Sequence, residues 1–112
     1  MRIAVPMANG ALCMHFGHCG TFTLVDVDVE EKVITATSEV VPPPHEPGLL
    51  PRWLAEKGVR MVIAGGMGSR AKAIFAGNGI QVITGAVGAT AEEIVNSYLA
   101  GSLQTGPNSC DH

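Results

Sequence analysis

The chain is poor in aromatic residues, in charge and in long apolar runs. Aromatics make up 4% and charged residues 15% of its 112 positions. Lys and Arg number 7 against 10 Asp and Glu, for a net charge of −3. Such a chain has no basic surplus to displace counterions from a phosphate backbone, so no nucleic-acid partner is expected. The apolar run Met61 to Met67 contains two glycines and falls far short of the ~20 residues that cross a bilayer. After Met1-Arg2 the run Ile3 to Val5 is cut by Pro6, too short for a secretory core. A cytoplasmic chain with reduced thiols and no membrane partner is therefore expected. Also missing are a paired Cys-x-x-Cys set, the Gly-Lys-Ser/Thr of a P-loop and a nucleophile elbow. Asp26, Asp28, Glu30 and Glu31 read as a solvated hairpin face rather than as catalytic carboxylates. No enzyme is expected.

What is present is apolar and patterned. Hydrophobic residues reach 46%, enough for a packed core without disulfide staples. Residues 2–6 form a short strand that Pro6 should end, followed by a loop over 7–21. Residues 22–28 and 32–40 suit strands joined as an antiparallel hairpin through Val29-Glu30-Glu31. The proline run 42–44 makes a stiff crossover into a helix over 48–57, with Leu50, Trp53 and Leu54 on one face and Gly58 as its stop. A strand over 59–64, a helix over 69–76 with Ala71, Ile74 and Phe75 apolar, and a strand over 80–84 make a parallel βαβ unit. Thr90 and Glu93 form a capping box for a last helix over 91–100. The order β-β-β-α-β-α-β-α gives an α/β fold with a five-stranded mixed sheet and helices on both faces. Residues 1–100 form one binding domain and 101–112 a flexible tail.

The sulfur and imidazole are concentrated. Of 3 cysteines and 4 histidines, two of each lie in Cys13-Met14-His15-Phe16-Gly17-His18-Cys19. Thiolate and imidazole bind zinc, iron and copper, and thiolate favours iron–sulfur clusters. The spacing is not that of a zinc finger. The competing reading is a histidine that satisfies backbone groups and cysteines that pack as small apolar residues. Cys110 and His112 form a second soft pair at the end of the tail. The nine steps from Gly101 to Cys110 reach roughly 30 Å when extended, so the tail would close the site within one chain or bridge a homodimer. The alternative is a solvated end.

Gly65-Gly66-Met67-Gly68-Ser69-Arg70 joins a strand to a helix. Helix-start amides with Arg70 and Lys72 suit an anion, either a phosphate or a metal–sulfur cluster. The alternative role of these glycines is close helix–sheet packing. His45, in the proline run, reads first as a local hydrogen-bonding residue. Met7, Met14 and Met67 read as gap fillers before soft contacts.

The whole chain resembles the dinitrogenase iron–molybdenum cofactor biosynthesis family in its small stand-alone form. The carrying segments are Met1 to Pro6, His15-Phe16-Gly17-His18-Cys19, His45-Glu46-Pro47-Gly48, Gly65-Gly66-Met67-Gly68 and Gly85-Ala86. The resemblance implies a ribonuclease H-like domain. It also implies a non-enzymatic role in binding or carrying a metal–sulfur cluster, iron–molybdenum cofactor-like or iron–sulfur, between donor and acceptor proteins. It puts the cluster contacts on His15, His18 and Cys19, then Cys13, with Gly65, Gly66, Met67, Gly68 and Arg70 supplying the anion-facing turn. Cys13, Cys110 and His112 go beyond the family core and leave a different metal open. The alternatives are a structural or regulatory zinc protein and a nucleotide- or phosphate-binding module built on Gly65 to Lys72.

Overall fold

A computed structural model describes residues 1–8, 11–13, 20–44, 48–86 and 90–103. Its elements, in chain order, are β1 (Arg2–Ala8), β2 (Ala11–Leu12), β3 (Thr21–Asp28), β4 (Val33–Val40), α1 (Leu49–Glu56), β5 (Val59–Ile63), α2 (Ser69–Gly77), β6 (Gln81–Ile83) and α3 (Ala91–Leu99). The sheet order is β4-β3-β1-β5-β6, with β2 paired to β1. This is the expected mixed α/β sheet with one short strand added inside the segment expected to be loop.

Register follows from alternation. Ile3, Val5 and Met7 of β1 face α3, packing with Val25, Val27, Ile94, Val95 and Leu99. Ala4 faces the other side, where Phe22, Leu24, Leu54, Val62, Met67 and Phe75 pack under α1 and α2. Both faces of β1 are therefore buried, as its continuous apolar run requires. The β3–β4 hairpin pairs Phe22 with Val40 and Asp28 with Val33, with a register shift between Asp26 and Val27. Its turn is held by Asp28 Oδ1, which accepts from the amides of Glu30 (3.0 Å) and Glu31 (3.1 Å). The β5–β6 pair is parallel, Met61 opposite Gln81 and Ile63 opposite Ile83.

Pro6 does not end β1, which runs on to Ala8. The reason lies in which side lacks a donor. Parallel pairing with β5 stops at Ala4. The Pro6 carbonyl accepts from the Cys13 amide at 2.9 Å, on the β2 side. A residue's amide and carbonyl point the same way along a strand, so the missing proline N–H falls where β5 no longer needs it. The helices follow their signals more closely. Thr90 Oγ1 accepts from the Glu93 amide at 3.1 Å. Gly58, at φ 83°, closes α1 by donating to the Ala55 carbonyl at 3.0 Å. Of the adjacent apolar residues in α2, Ile74 is exposed and Phe75 is buried.

The described residues bury no charged side chain. Arg2 Nε donates to Asp26 Oδ1 at 2.7 Å, with each side chain more than a third exposed. This hydrogen bond, foremost, holds the Asp26 carboxyl below its usual value of 3.8. Lowering the folded-state pKa of an acid means the stabilisation is present above the ordinary value and is lost as pH falls through the lowered one. Asp26→Asn should cost under about 1 kcal/mol at neutral pH, because the pair is solvent-screened. The gap between wild type and variant should close as acid titration carries the carboxyl to its protonated form. Urea melts at neutral and acid pH measure it.

Candidate functional site

Strands β1, β4, β5 and β6 all run in one direction, since β4 and β1 are each antiparallel to β3 while β1, β5 and β6 pair parallel. Their carboxyl ends therefore share one end of the sheet. The starts of α1, α2 and α3, each of which follows one of these strands, face that same end. Helix starts carry partial positive charge and free amides; that of α2 has Arg70 and Lys72 beside it, whereas that of α3 is capped by Thr90 and carries Glu92 and Glu93. Beyond the last β5 pair at Ala4, that edge of β1 is taken up by β2: Met7 pairs Thr21 of β3 on one side and Leu12 of β2 on the other.

Two main-chain bonds fix what borders the carboxyl end of β1. The Cys13 amide donates to the Pro6 carbonyl at 2.9 Å, and the Gly20 amide donates to the Met7 carbonyl at 3.1 Å. Consecutive carbonyls of β1 thus clasp both ends of the segment between Cys13 and Gly20. Reading the sequence did not reveal this neck, because backbone acceptors leave no side-chain signature. At the same end of the sheet, the exits of β5 and β6 are zipped together. Ala64 donates to Ile83 (2.9 Å), Gly85 to Gly65 (2.9 Å) and Ala86 to Ala64 (3.2 Å). Gly85 makes this turn at φ 78°, a conformation costly for residues with a Cβ.

The expected anion-facing turn is divided. Gly65, Gly66 and Met67 are buried, Gly68 and Lys72 are half-buried, and Ser69 and Arg70 are exposed. The first three therefore serve close packing at the base, while Gly68 and the cationic first turn of α2 face outward. Of the residues expected to bind metal, Cys13 is described. It is buried at 5% exposure and is disulfide-bonded. A thiol expected to be reduced is thus half of a disulfide, and a disulfide sulfur has no thiolate to offer a metal. His15, His18, Cys19, Cys110 and His112 lie outside the described residues, as does His45. Among the described residues no three His, Cys, Asp or Glu side chains come together as a metal site.

An open cavity of about 240 Å³ lies beside the start of α3, lined by Met7, Thr21, Thr23, Glu39, Thr90 and Glu92 among others. It sits beneath the neck on the α3 face. Two carboxylates border it, the wrong charge for an anionic ligand. The start of α2, with Arg70 and Lys72, has the right one. No described helix is long and apolar enough to cross a membrane.

Comparison with known proteins agrees with this architecture. An uncharacterized protein of Methanocaldococcus jannaschii, MJ0580, is 31% identical over 111 residues, covering 93% of this chain and 90% of that protein. The crystal structure of PH0822 superposes with a TM-score of 0.85 at 29% identity, over 94% of each chain. The apo form of the orange protein from Desulfovibrio gigas shares the fold at a TM-score of 0.74 and 24% identity, covering 96% of this chain and 93% of that one. The family model for dinitrogenase iron–molybdenum cofactor matches residues 1–101. With nearly the whole described fold inside that match, the chain belongs to the dinitrogenase iron–molybdenum cofactor family.

Proposed function

We propose that this protein is a non-enzymatic carrier that binds an anionic metal–sulfur cluster, iron–sulfur or molybdenum-containing, and passes it to an acceptor protein. The observation that carries this reading is the clasped neck. It ties the sequence segment richest in soft donors to the end of the sheet where the start of α2, with Arg70 and Lys72, favours negative charge. Family membership supports the same cargo class. In this reading His15, His18 and Cys19 contact the metal, and Cys13 joins them as a thiolate once its disulfide is opened. Gly68 and Arg70 at the start of α2 balance the cluster's charge. A carrier must release what it holds, a task that suits donors in a segment the sequence reads as loop.

The test is anaerobic reconstitution of the reduced full chain with iron and sulfide, with and without molybdate. Visible sulfur-to-metal absorption should develop in the wild type and weaken several-fold in His15→Ala and Cys19→Ala, with unchanged melting temperature. Identical spectra for wild type and both variants would reject the assignment. Zinc found by elemental analysis at one per chain, with no iron, would favour a structural zinc protein instead.

A further inference from the structure

Strand β4 closes one side of the sheet, and its outer edge pairs with no described strand. It is eight residues long, with six exposed and none buried. The opposite edge strand, β6, has three residues. Sheet edges are normally guarded by shortness, by lysine or proline within the strand, or by a covering element. β4 holds neither lysine nor proline, and its single charge is Glu39. Its residues are mainly β-branched, the kind that pairs well. The described residues leave five large apolar side chains exposed, and three of them, Val29, Val33 and Val41, lie on or beside this strand. The irregularity in β4 is at Thr35, which the register shift leaves without a partner on β3. Its hydroxyl donates to the Asp26 carbonyl at 3.2 Å. Cross-strand partners share a face. Ile34, Thr37 and Glu39, opposite Val27, Val25 and Thr23, therefore lie on the α3 side, and Val33, Ala36 and Ser38 on the other.

We propose that the outer edge of β4 is the surface through which two copies of this chain associate, antiparallel about a two-fold axis normal to the sheet. Such an axis keeps each face of the sheet on its own side, so residues opposite one another must share a face. Setting Ile34 opposite Thr37 of the second copy meets this condition on both sides of Thr35, because Val33 then falls opposite Ser38. The same alignment sets Lys32 opposite Glu39, an opposite-charge pair that symmetry makes twice. It carries the acidic turn of each copy, Asp28 to Glu31, to the uncharged stretch Val40 to Pro44 of the other. Exposed Val29 and Val41 meet at that junction. Parallel pairing would set acidic turn beside acidic turn, which is unfavourable in a chain of net charge −3. One strand pair is a small interface, so association is reversible and depends on concentration. Because β4 runs in the direction of β1, the two carboxyl ends point to opposite ends of the dimer, and neither covers the other. The inference goes beyond the carrier reading and needs no metal.

Sedimentation velocity of the full chain over a wide concentration range should show monomer giving way to dimer. Non-reducing electrophoresis of the same samples should show no covalent dimer. Amide exchange across residues 33–40 should be slower in the concentrated chain than in the dilute one, and the change should be largest there. Thr37→Lys, which places a charge on the exposed edge, should weaken dimerisation at least tenfold, with circular dichroism of the dilute chain unchanged. Glu39→Lys should also weaken it, by setting like charges opposite each other. Combining it with Lys32→Glu should restore dimerisation to within a few-fold of wild type. A chain that stays monomeric at every concentration overturns the proposal. So does a dimer that Thr37→Lys leaves intact, or one whose β4 amides exchange as fast as those of the monomer. Failure of the double charge reversal to restore the dimer overturns the antiparallel register.

Discussion

Phe75→Ala should lower the unfolding free energy by about 3–5 kcal/mol, the usual cost of removing a fully buried aromatic ring. The ring is 0% exposed and packs among Leu54, Val62, Met67 and Ile80. More than a cavity is at stake. Phe75 is the buried anchor of α2, whose nine residues are too few to remain helical in water without packing. Losing the ring should therefore loosen α2 before the rest of the domain. Amide exchange across Lys72 to Ala76 should accelerate more than exchange across α3, which keeps Ala91, Ile94, Val95 and Leu99 buried. The melting temperature should fall by on the order of 15 °C or more. Ile74→Ala, one residue away but exposed, should cost within about 0.5 kcal/mol. A Phe75→Ala loss as small as that of Ile74→Ala would show that α2 is held by something other than this ring.

That contrast between adjacent residues shows where sequence reading succeeds and where it stops. Periodicity located all three helices and the four longest strands to within a few residues, because each must bury a stripe or a face. It could not choose between Ile74 and Phe75, since both are apolar and the difference depends on the angle at which α2 meets the sheet. Pro6 was misleading for a related reason. A proline forbids a ladder bond only on the side where its N–H would point, and whether a partner waits on that side depends on where β5 stops pairing, a fact of tertiary structure. The short strand β2 is two residues long and carries no alternation to detect. At the candidate site, residue types pointed to soft-metal chemistry and the glycine turn was correctly placed between β5 and α2. Its division into a buried base and an exposed cationic lip was not legible, because glycines read alike whether they pack or bind. Nor does spacing reveal the pairing state of a cysteine.

The neck offers the sharper functional prediction, because one position separates the side chain from the hydrogen bond. A Cβ built at Gly20 meets nothing within 4 Å, and Gly20 does not use a left-handed backbone conformation. Gly20→Ala should therefore be tolerated, and by limiting the unfolded chain it should add up to about 1 kcal/mol of stability. Gly20→Pro occupies similar space but removes the amide that donates to the Met7 carbonyl. An acceptor left without its partner costs about 1–3 kcal/mol. Proline also restricts the backbone of Cys19, the residue before it. If the neck sets the positions of the cargo donors, the reduced Gly20→Pro chain should lose at least tenfold in metal affinity while Gly20→Ala retains it, a difference of about 1.4 kcal/mol. Denaturant melts and metal titration of the two variants, side by side, decide the matter. Equal affinities despite a destabilised Gly20→Pro would mean the neck stabilises the sheet end without positioning the ligands. Loss of affinity in Gly20→Ala as well would mean that the open space beside Gly20 is itself occupied by cargo.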